Sequence, residues 1–153
     1  MSIEKNKELV RRYLSPPPPD VILEMKQAKD PVSVMQLGYR SVAEQFFHEN
    51  CVLHMDGIDR DREGVIEYNL ALIAAFPDAY FGLDKMVAEG DTVVIVGRMR
   101  GTHQGMYQGV PATGKKVDMG YMVMYRIADD KFIEAWGYMD RMGLLQQLGA
   151  IPA

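Results

Sequence analysis

The chain of 153 residues holds one cysteine, Cys51, which excludes an internal disulfide and agrees with a reducing compartment. Lying in the apolar run Cys51-Val52-Leu53, with no basic residue in obvious position to lower its pKa, this thiol reads as buried and inert rather than nucleophilic. An excess of positive charge is also missing. Seventeen Lys and Arg stand against 21 Asp and Glu, a net charge of −4, and the basic residues are scattered, so neither nucleic acid nor a membrane surface is an expected partner. No run approaches the roughly 20 apolar residues of a membrane span, and Met1 to Tyr13 alternates charged and apolar residues where a secretory signal would be continuously apolar. A cytoplasmic protein is the expectation. Histidines number three, none with a zinc or iron ligand spacing, so no metal is expected. The glycine-rich stretch from Gly101 to Gly114 lacks the lysine pattern of a phosphate loop and is followed by strand pattern, and no serine sits in a nucleophile elbow. No cofactor is called for.

What is abundant is methionine, with twelve, among them Met99, Met106, Met119, Met122, Met124, Met139 and Met142. A flexible thioether fills irregular apolar space, so these side chains form either an adaptable core or a pliant wall around a bulky ligand. The length suits one domain over 1–153 with a core of its own.

The periodicity changes once along the chain. Ile3 to Leu14 reads as a helix, stopped by Ser15 and the stiff run Pro16-Pro17-Pro18-Pro19. A short helix is expected after Asp20 as N-cap, and a longer one after Asp30 with Pro31 at its first position, carrying Met35, Tyr39, Val42 and Phe46 on one stripe. Cys51 to Asp56 reads as a short strand. A helix from Asp61 or Arg62 to Phe76 places Val65, Asn69, Leu72 and Phe76 on one face, with Asn69 as the polar misfit. Period-two alternation then gives four strands near 79–88, 91–103, 116–127 and 131–139, and Met142 to Leu148 closes the chain as a helix. Helices followed by an antiparallel meander predict an α+β architecture, with helices covering one face of a curved sheet.

Four blocks carry a family resemblance: Ala75-Phe76-Pro77-Asp78; Ala88-Glu89-Gly90-Asp91-Thr92-Val93; Gly101-Thr102-His103-Gln104-Gly105 with Gly109-Val110-Pro111-Ala112-Thr113-Gly114-Lys115; and Gln146-Gln147-Leu148-Gly149. Over about residues 50–149 the chain resembles the SnoaL-like polyketide cyclases, also called ester cyclases. The resemblance implies the cone shared with nuclear transport factor 2 and ketosteroid isomerase, a fold that hosts many activities. It makes 15–31 an insertion relative to shorter members. Founding members close an aromatic polyketide ring by aldol addition, using an aspartate as acid/base with histidines nearby. The resemblance puts that aspartate at Gly137 and the histidines at Ala135 and Val123, so the known machinery is absent, while Asp140 matches a second family aspartate.

Candidate chemistry therefore falls on other side chains. His48 is expected to cap the C-terminus of the long helix. His54 and Asp56 alternate with Cys51, Leu53 and Met55 and so share a face; if that face lines the cavity, Asp56 orients the imidazole and raises its basicity, and if it faces water the pair is a solvated contact. His103 lies at the rim of the apolar side of its strand, as a proton carrier or as a partner for a loop carbonyl. Asp140 is either an acid/base group at a strand end or the N-cap of the last helix. Asn69, Tyr121, Met119 and Met106 are candidate substrate contacts, as are Trp136 and Tyr138. The last strand leaves its cavity face open, since Glu134, Trp136, Tyr138 and Asp140 alternate with Ile133, Ala135, Gly137 and Met139; the resemblance puts the small set inward and Trp136 at a subunit contact.

Three readings follow. One is a cofactor-independent cyclase, isomerase or hydrolase working by acid/base chemistry on a polyketide- or terpenoid-like molecule in an apolar pocket. Another is a non-catalytic protein that holds a hydrophobic ligand. The third is epoxide opening by paired carboxylates and an arginine, although no Arg and Asp share an obvious strand face. A homodimer is expected, with the open outer face of the sheet covered by a second copy.

Overall fold

The computed structural model describes residues 2–153, apart from the side chains of residues 25, 26, 31 and 32; Met1, where the N-terminal segment begins, lies outside them. Helix α1 (Ile3–Leu14) starts on Ser2, whose hydroxyl accepts the Lys5 N–H, and ends with Arg11 and Arg12 in its last turn, where cations meet the negative end of the helix dipole. Its Asn6 is buried and donates to the Gly90 carbonyl at 3.3 Å, tying the helix to a strand turn across the molecule. Helix α2 (Pro19–Gln27) begins a residue before Asp20, which sits in its first turn instead of capping it; Pro18 holds the N-cap. Proline at N1 has the right φ and no N–H to strand, so the proline run ends as the opening of a helix. Helix α3 (Pro31–Phe46) is capped as expected by Asp30, which accepts the Ser33 N–H.

Strand β1 (Phe47–Met55) follows at once and is longer than its sequence pattern, because the polar residues 48–50, half-buried or exposed, hide its start. His48 is thus the second residue of a strand, its Nδ1 accepting the Asn50 N–H at 3.1 Å, and Phe47 is the helix C-cap. A short strand β2 (Ile58–Arg60), absent from the expectation, turns back on β1 through Asp56-Gly57. Both turn residues have positive φ, 60° and 72°, the geometry that joins antiparallel strands through two residues. Asp61 caps helix α4 (Arg62–Ala75) by accepting the Gly64 N–H at 2.9 Å. The meander β3 (Tyr80–Glu89), β4 (Thr92–Thr102), β5 (Lys116–Ala128) and β6 (Lys131–Met139) follows the sequence reading closely, and helix α5 (Arg141–Leu148) ends on Gly149 at φ 78°.

The six strands form one curved, unclosed sheet in the order β2-β1-β6-β5-β4-β3. All neighbours run antiparallel except β1 and β6, which are parallel, with Met55 opposite Gly137. The inner face carries the buried alternation, with Val93, Ile95 and Met99 on β4, Val117 to Ile127 at odd positions on β5, and Ala135 and Gly137 on β6. At one end of this face Tyr13, Phe46, Phe47, Tyr125 and Phe132 stack with centroids 4.4–6.3 Å apart, closing the cone with large apolar area. At the other end lie the last residues of β1, β4 and β6, because these three strands run the same way.

Candidate functional site

The parallel pairing of β1 and β6 brings Asp56 and Arg141, far apart in sequence, to the same sheet end. The left-handed backbone at Asp56 takes its side chain out of the strand alternation, and its carboxylate forms an ion pair with Arg141. The same guanidinium donates to the Tyr68 hydroxyl at 3.3 Å, and Tyr68 donates to the Met139 sulfur at 3.2 Å. Arg60, held by the Met55 carbonyl at 3.0 Å, places its guanidinium carbon 5.1 Å from the Tyr68 ring centroid, and Arg141 contributes a second cation at 5.8 Å. Tyr107, from the loop between β4 and β5, is near enough to feel Tyr68, Arg141 and Asp56. Thus α4, the β1–β2 turn, the β6 end and the β4–β5 loop each deliver a polar group to one rim of an apolar interior.

Burial decides the direction for the two phenols of this cluster. It raises Tyr68 above the usual phenol value, against the opposing pull of the Arg141 hydrogen bond, and it raises Tyr107 likewise. For Arg141 burial works against the charge, but the hydrogen bond to Tyr68 and the nearby Asp56 outweigh it, so the guanidinium stays cationic. Its Nε is buried with no hydrogen-bond partner.

His103 is wholly buried, and its Nδ1 accepts the Thr113 N–H at 3.2 Å, which clasps the two ends of the β4–β5 loop. The same Nδ1 lies 3.0 Å from the Thr113 hydroxyl, and Nε2 is buried with no hydrogen-bond partner. The imidazole lies 5.3 Å from the Phe76 ring, which in turn lies 5.4 Å from Tyr107; one aromatic ring separates His103 from the rim cluster. Asp140 accepts the Gly143 N–H at 2.9 Å as N-cap of α5. Asp140 and His103 serve these separate partners, and neither bonds the other.

The expected pairing of His54 with Asp56 does not occur, because Asp56 leaves the strand face. His54 lies on the outer face, between Asp59 at 2.7 Å and Glu134 at 2.9 Å, stacked on Trp136 with centroids 5.2 Å apart. Trp136 and Tyr138 share that outer face, Tyr138 being 69% exposed, so they stand away from the interior, as the small-residue reading of β6 requires. Met106 is 63% exposed at the loop, whereas Met119 is fully buried on the inner face. Tyr121 is buried there too, its hydroxyl donating to the Gly82 carbonyl at 3.0 Å, and burial pushes the phenol up to about 12. A side chain at Gly97 would run into that ring and that carbonyl. Asn69 spends its amide on the Val65 carbonyl, one turn back in α4.

A Cβ at Gly137 would meet the Met55 methyl at 2.6 Å, so a thioether fills the space where the resemblance expects an aspartate. Sequence alone does not single out Tyr68, Arg141, Arg60 or Tyr107, although Tyr68 follows Val65 by three on the buried stripe of α4, beside the polar misfit Asn69, and Asp56-Gly57 is a strong hairpin dipeptide. Among the described residues no group of three or more His, Cys, Asp or Glu side chains could hold a metal ion, and no helix is long and apolar enough to cross a membrane.

The family model of the SnoaL-like polyketide cyclases matches residues 32–148, and the chain belongs to that family. Among solved structures, a proposed SnoaL-like polyketide cyclase from Jannaschia sp. CCS1 superposes with a TM-score of 0.78 at 24% identity, covering 99% of this chain and 97% of that one. AclR, a proposed hydroxylase from Streptomyces galilaeus, gives 0.75 at 24% identity over 99% and 100% of the two chains. IdmH, a proposed polyketide cyclase from Streptomyces antibioticus, gives 0.67 at 28% identity over 88% and 99%. No curated protein matches.

Proposed function

We propose that the protein is a cofactor-independent enzyme of small-molecule biosynthesis, a cyclase or isomerase that moves protons on a hydrophobic polyketide- or terpenoid-like substrate. The observation that carries this is the convergence of Tyr68, Arg141 and Asp56 on one rim of an otherwise apolar cone. Family membership and the structural likeness to IdmH support the substrate class. Interior polar groups suit proton transfer because burial shifts their affinities and strengthens their fields. Tyr68 is the proton-handling group of this scheme, with its hydroxyl between a guanidinium and a weakly accepting thioether, and Asp56 is the positioning residue that holds Arg141. The thioethers of Met55, Met99 and Met119 are packed in the interior; being flexible, they make room for a ligand by changing rotamer.

A second reading, a ligand-binding protein without catalysis, is favoured by Gly137 and the Met55 methyl that occupies its space. Incubation with linear poly-β-ketones and terpenoid precursors, followed by chromatography and mass spectrometry, separates the two. A product of unchanged mass or of mass lowered by one water, lost in Tyr68→Phe, supports the enzyme; retention of ligand without conversion supports the binding protein.

The outer face is assigned to a second copy of the chain. Val87, Val94, Met124 and Trp136 form one cross-strand row and Val96, Met122 and Tyr138 another, with Val87, Met122 and Tyr138 exposed. An apolar sheet face of this extent suits an isologous interface. The free thiol of Cys51 and the absence of a membrane-crossing helix among the described residues support a cytoplasmic site of action.

A further inference from the structure

We infer that the rim cluster is a binding site for a single anionic oxygen, an enolate or phenolate, on an apolar molecule, and that Asp56 makes it reject carboxylates. The inference rests on the interior-ligand reading above and adds the chemical class of the group bound. Two donors there are unspent. The Tyr68 hydroxyl donates to the Met139 sulfur at 3.2 Å, and a thioether is among the weakest acceptors in a protein, so an oxygen would displace it. Accepting from Arg141 makes this phenol a better donor in its turn. The second is Arg141 Nε, buried and unpartnered. A buried charged donor without a partner is costly, and a ligand oxygen would remove that cost.

The sign of the site follows from its charges. Arg60 and Arg141 flank the Tyr68 ring, and Asp56 is the one carboxylate seen among these contacts, so the local balance favours a negative ligand. Its denticity follows from geometry. A carboxylate is best held by two parallel N–H groups of one guanidinium, but one terminal nitrogen of Arg141 already serves both Asp56 and Tyr68. Of the remaining donors of Arg141, the one buried without a partner is Nε–H; with the phenol O–H it offers single donors from two different groups, suited to one oxygen.

The test uses 2-naphthol and 2-naphthoate as matched probes with the full-length protein. 2-Naphthol is expected to bind, with its ionised fraction, read from the red-shifted absorbance, raised over that in buffer at the same pH. Tyr68→Phe and Arg141→Lys should each weaken it by about tenfold or more, the scale of a hydrogen bond to a charged group, while the exposed-site control Tyr80→Phe leaves it unchanged. 2-Naphthoate should bind at least about tenfold more weakly than 2-naphthol, and Asp56→Ala, which removes the carboxylate and its claim on the Arg141 nitrogen, should narrow or reverse that gap. Circular dichroism confirms that each variant is folded. Equal affinity for both probes, no change in ionisation, or indifference to both Tyr68→Phe and Arg141→Lys overturns the inference and leaves the interior-ligand reading standing. If neither probe binds, the interior-ligand reading falls and this inference falls with it.

Discussion

Asp140 and Arg141 are adjacent in sequence and opposite in duty. Asp140 accepts the Gly143 N–H to start α5, while Arg141 turns back to the rim and meets Asp56 and Tyr68. Capping is worth about 1 kcal/mol, and asparagine caps as well as aspartate. Asp140→Ala should therefore lower the unfolding free energy by about 1 kcal/mol, and Asp140→Asn should leave it nearly unchanged, both read from urea midpoints. With its carboxylate committed to the cap, Asp140→Asn should also keep its turnover. Tyr68→Phe is expected to behave in the reverse way. It gives up a hydrogen bond to a thioether and one accepted from the Arg141 guanidinium, a loss of about 1–3 kcal/mol, and it removes the hydroxyl proposed to handle the proton, a role that typically contributes roughly a hundredfold to ten-thousandfold in rate. Loss of turnover in Asp140→Asn would return that residue to the mechanism.

At the scale of elements, β1 and β6 are joined on their outer face by a charged chain. His54 on β1 bonds Asp59 on β2 and Glu134 on β6, and Glu134 also accepts from Arg126 on β5 at 2.6 Å. The hydrogen bonds from Glu134 and then Asp59 raise His54 above its ordinary 6.5, and those from His54 and Arg126 lower Glu134 below its ordinary 4.5. For the histidine, whose folded pKa is the higher one, the stabilisation is full below about pH 6.5 and fades as pH rises through the folded value. For the carboxylate it is full above about pH 4.5 and fades as pH falls through the lowered folded value. Between these limits both contributions are present. NMR titration of the ring should place His54 above 6.5, with Glu134→Gln bringing it down; a His54 that titrates at or below 6.5 in the parent protein would contradict the assignment.

Most elements were legible because their signals are local. The Asp30 and Asp61 caps, the stripe of Met35 to Phe46 and the alternation from residue 79 onward each depend on neighbours within a few positions. The departures came where one residue changes the rule or where the cause lies far along the chain. Alternation puts Asp56 beside His54, and a positive φ at that single residue cancels it. His48 follows a helix in sequence, but β pairing claims the chain from Phe47. The candidate site was less legible still. Arg141 reaches Asp56 only because β1 lies parallel to β6, and no local pattern announces a parallel pairing between the first and last strands. The family resemblance supplied the cone and flagged the missing aspartate at Gly137, but not the groups that stand at the rim in its stead.

For the whole molecule, the cone has an inner face sealed at one end by aromatic rings and an outer face with two apolar rows. The outer rows make self-association an expected property: light scattering at micromolar concentration should give about twice the 17.3 kDa monomer mass, and Met122→Glu, which puts a charge at the centre of one row, should return the monomer. A parent protein that scatters as a monomer would show that the outer rows do not bind a second copy. Ligand entry should not alter that mass, because the proposed site opens at the strand ends, away from the rows.

Entry of an apolar ligand into the cone, between the thioethers and the Tyr68–Arg141 rim, can be followed by NMR of methyl-labelled methionine during titration with 2-naphthol. Buried Met55, Met99 and Met119, together with the rim residue Met139, report on the interior, while Met122 and Met142 are exposed and stand apart from it. Large shifts are expected at Met55 and Met139, smaller ones at Met99 and Met119, and none at Met122 or Met142. Shifts confined to Met122 and Met124 would place the ligand on the outer sheet face and contradict entry into the cone.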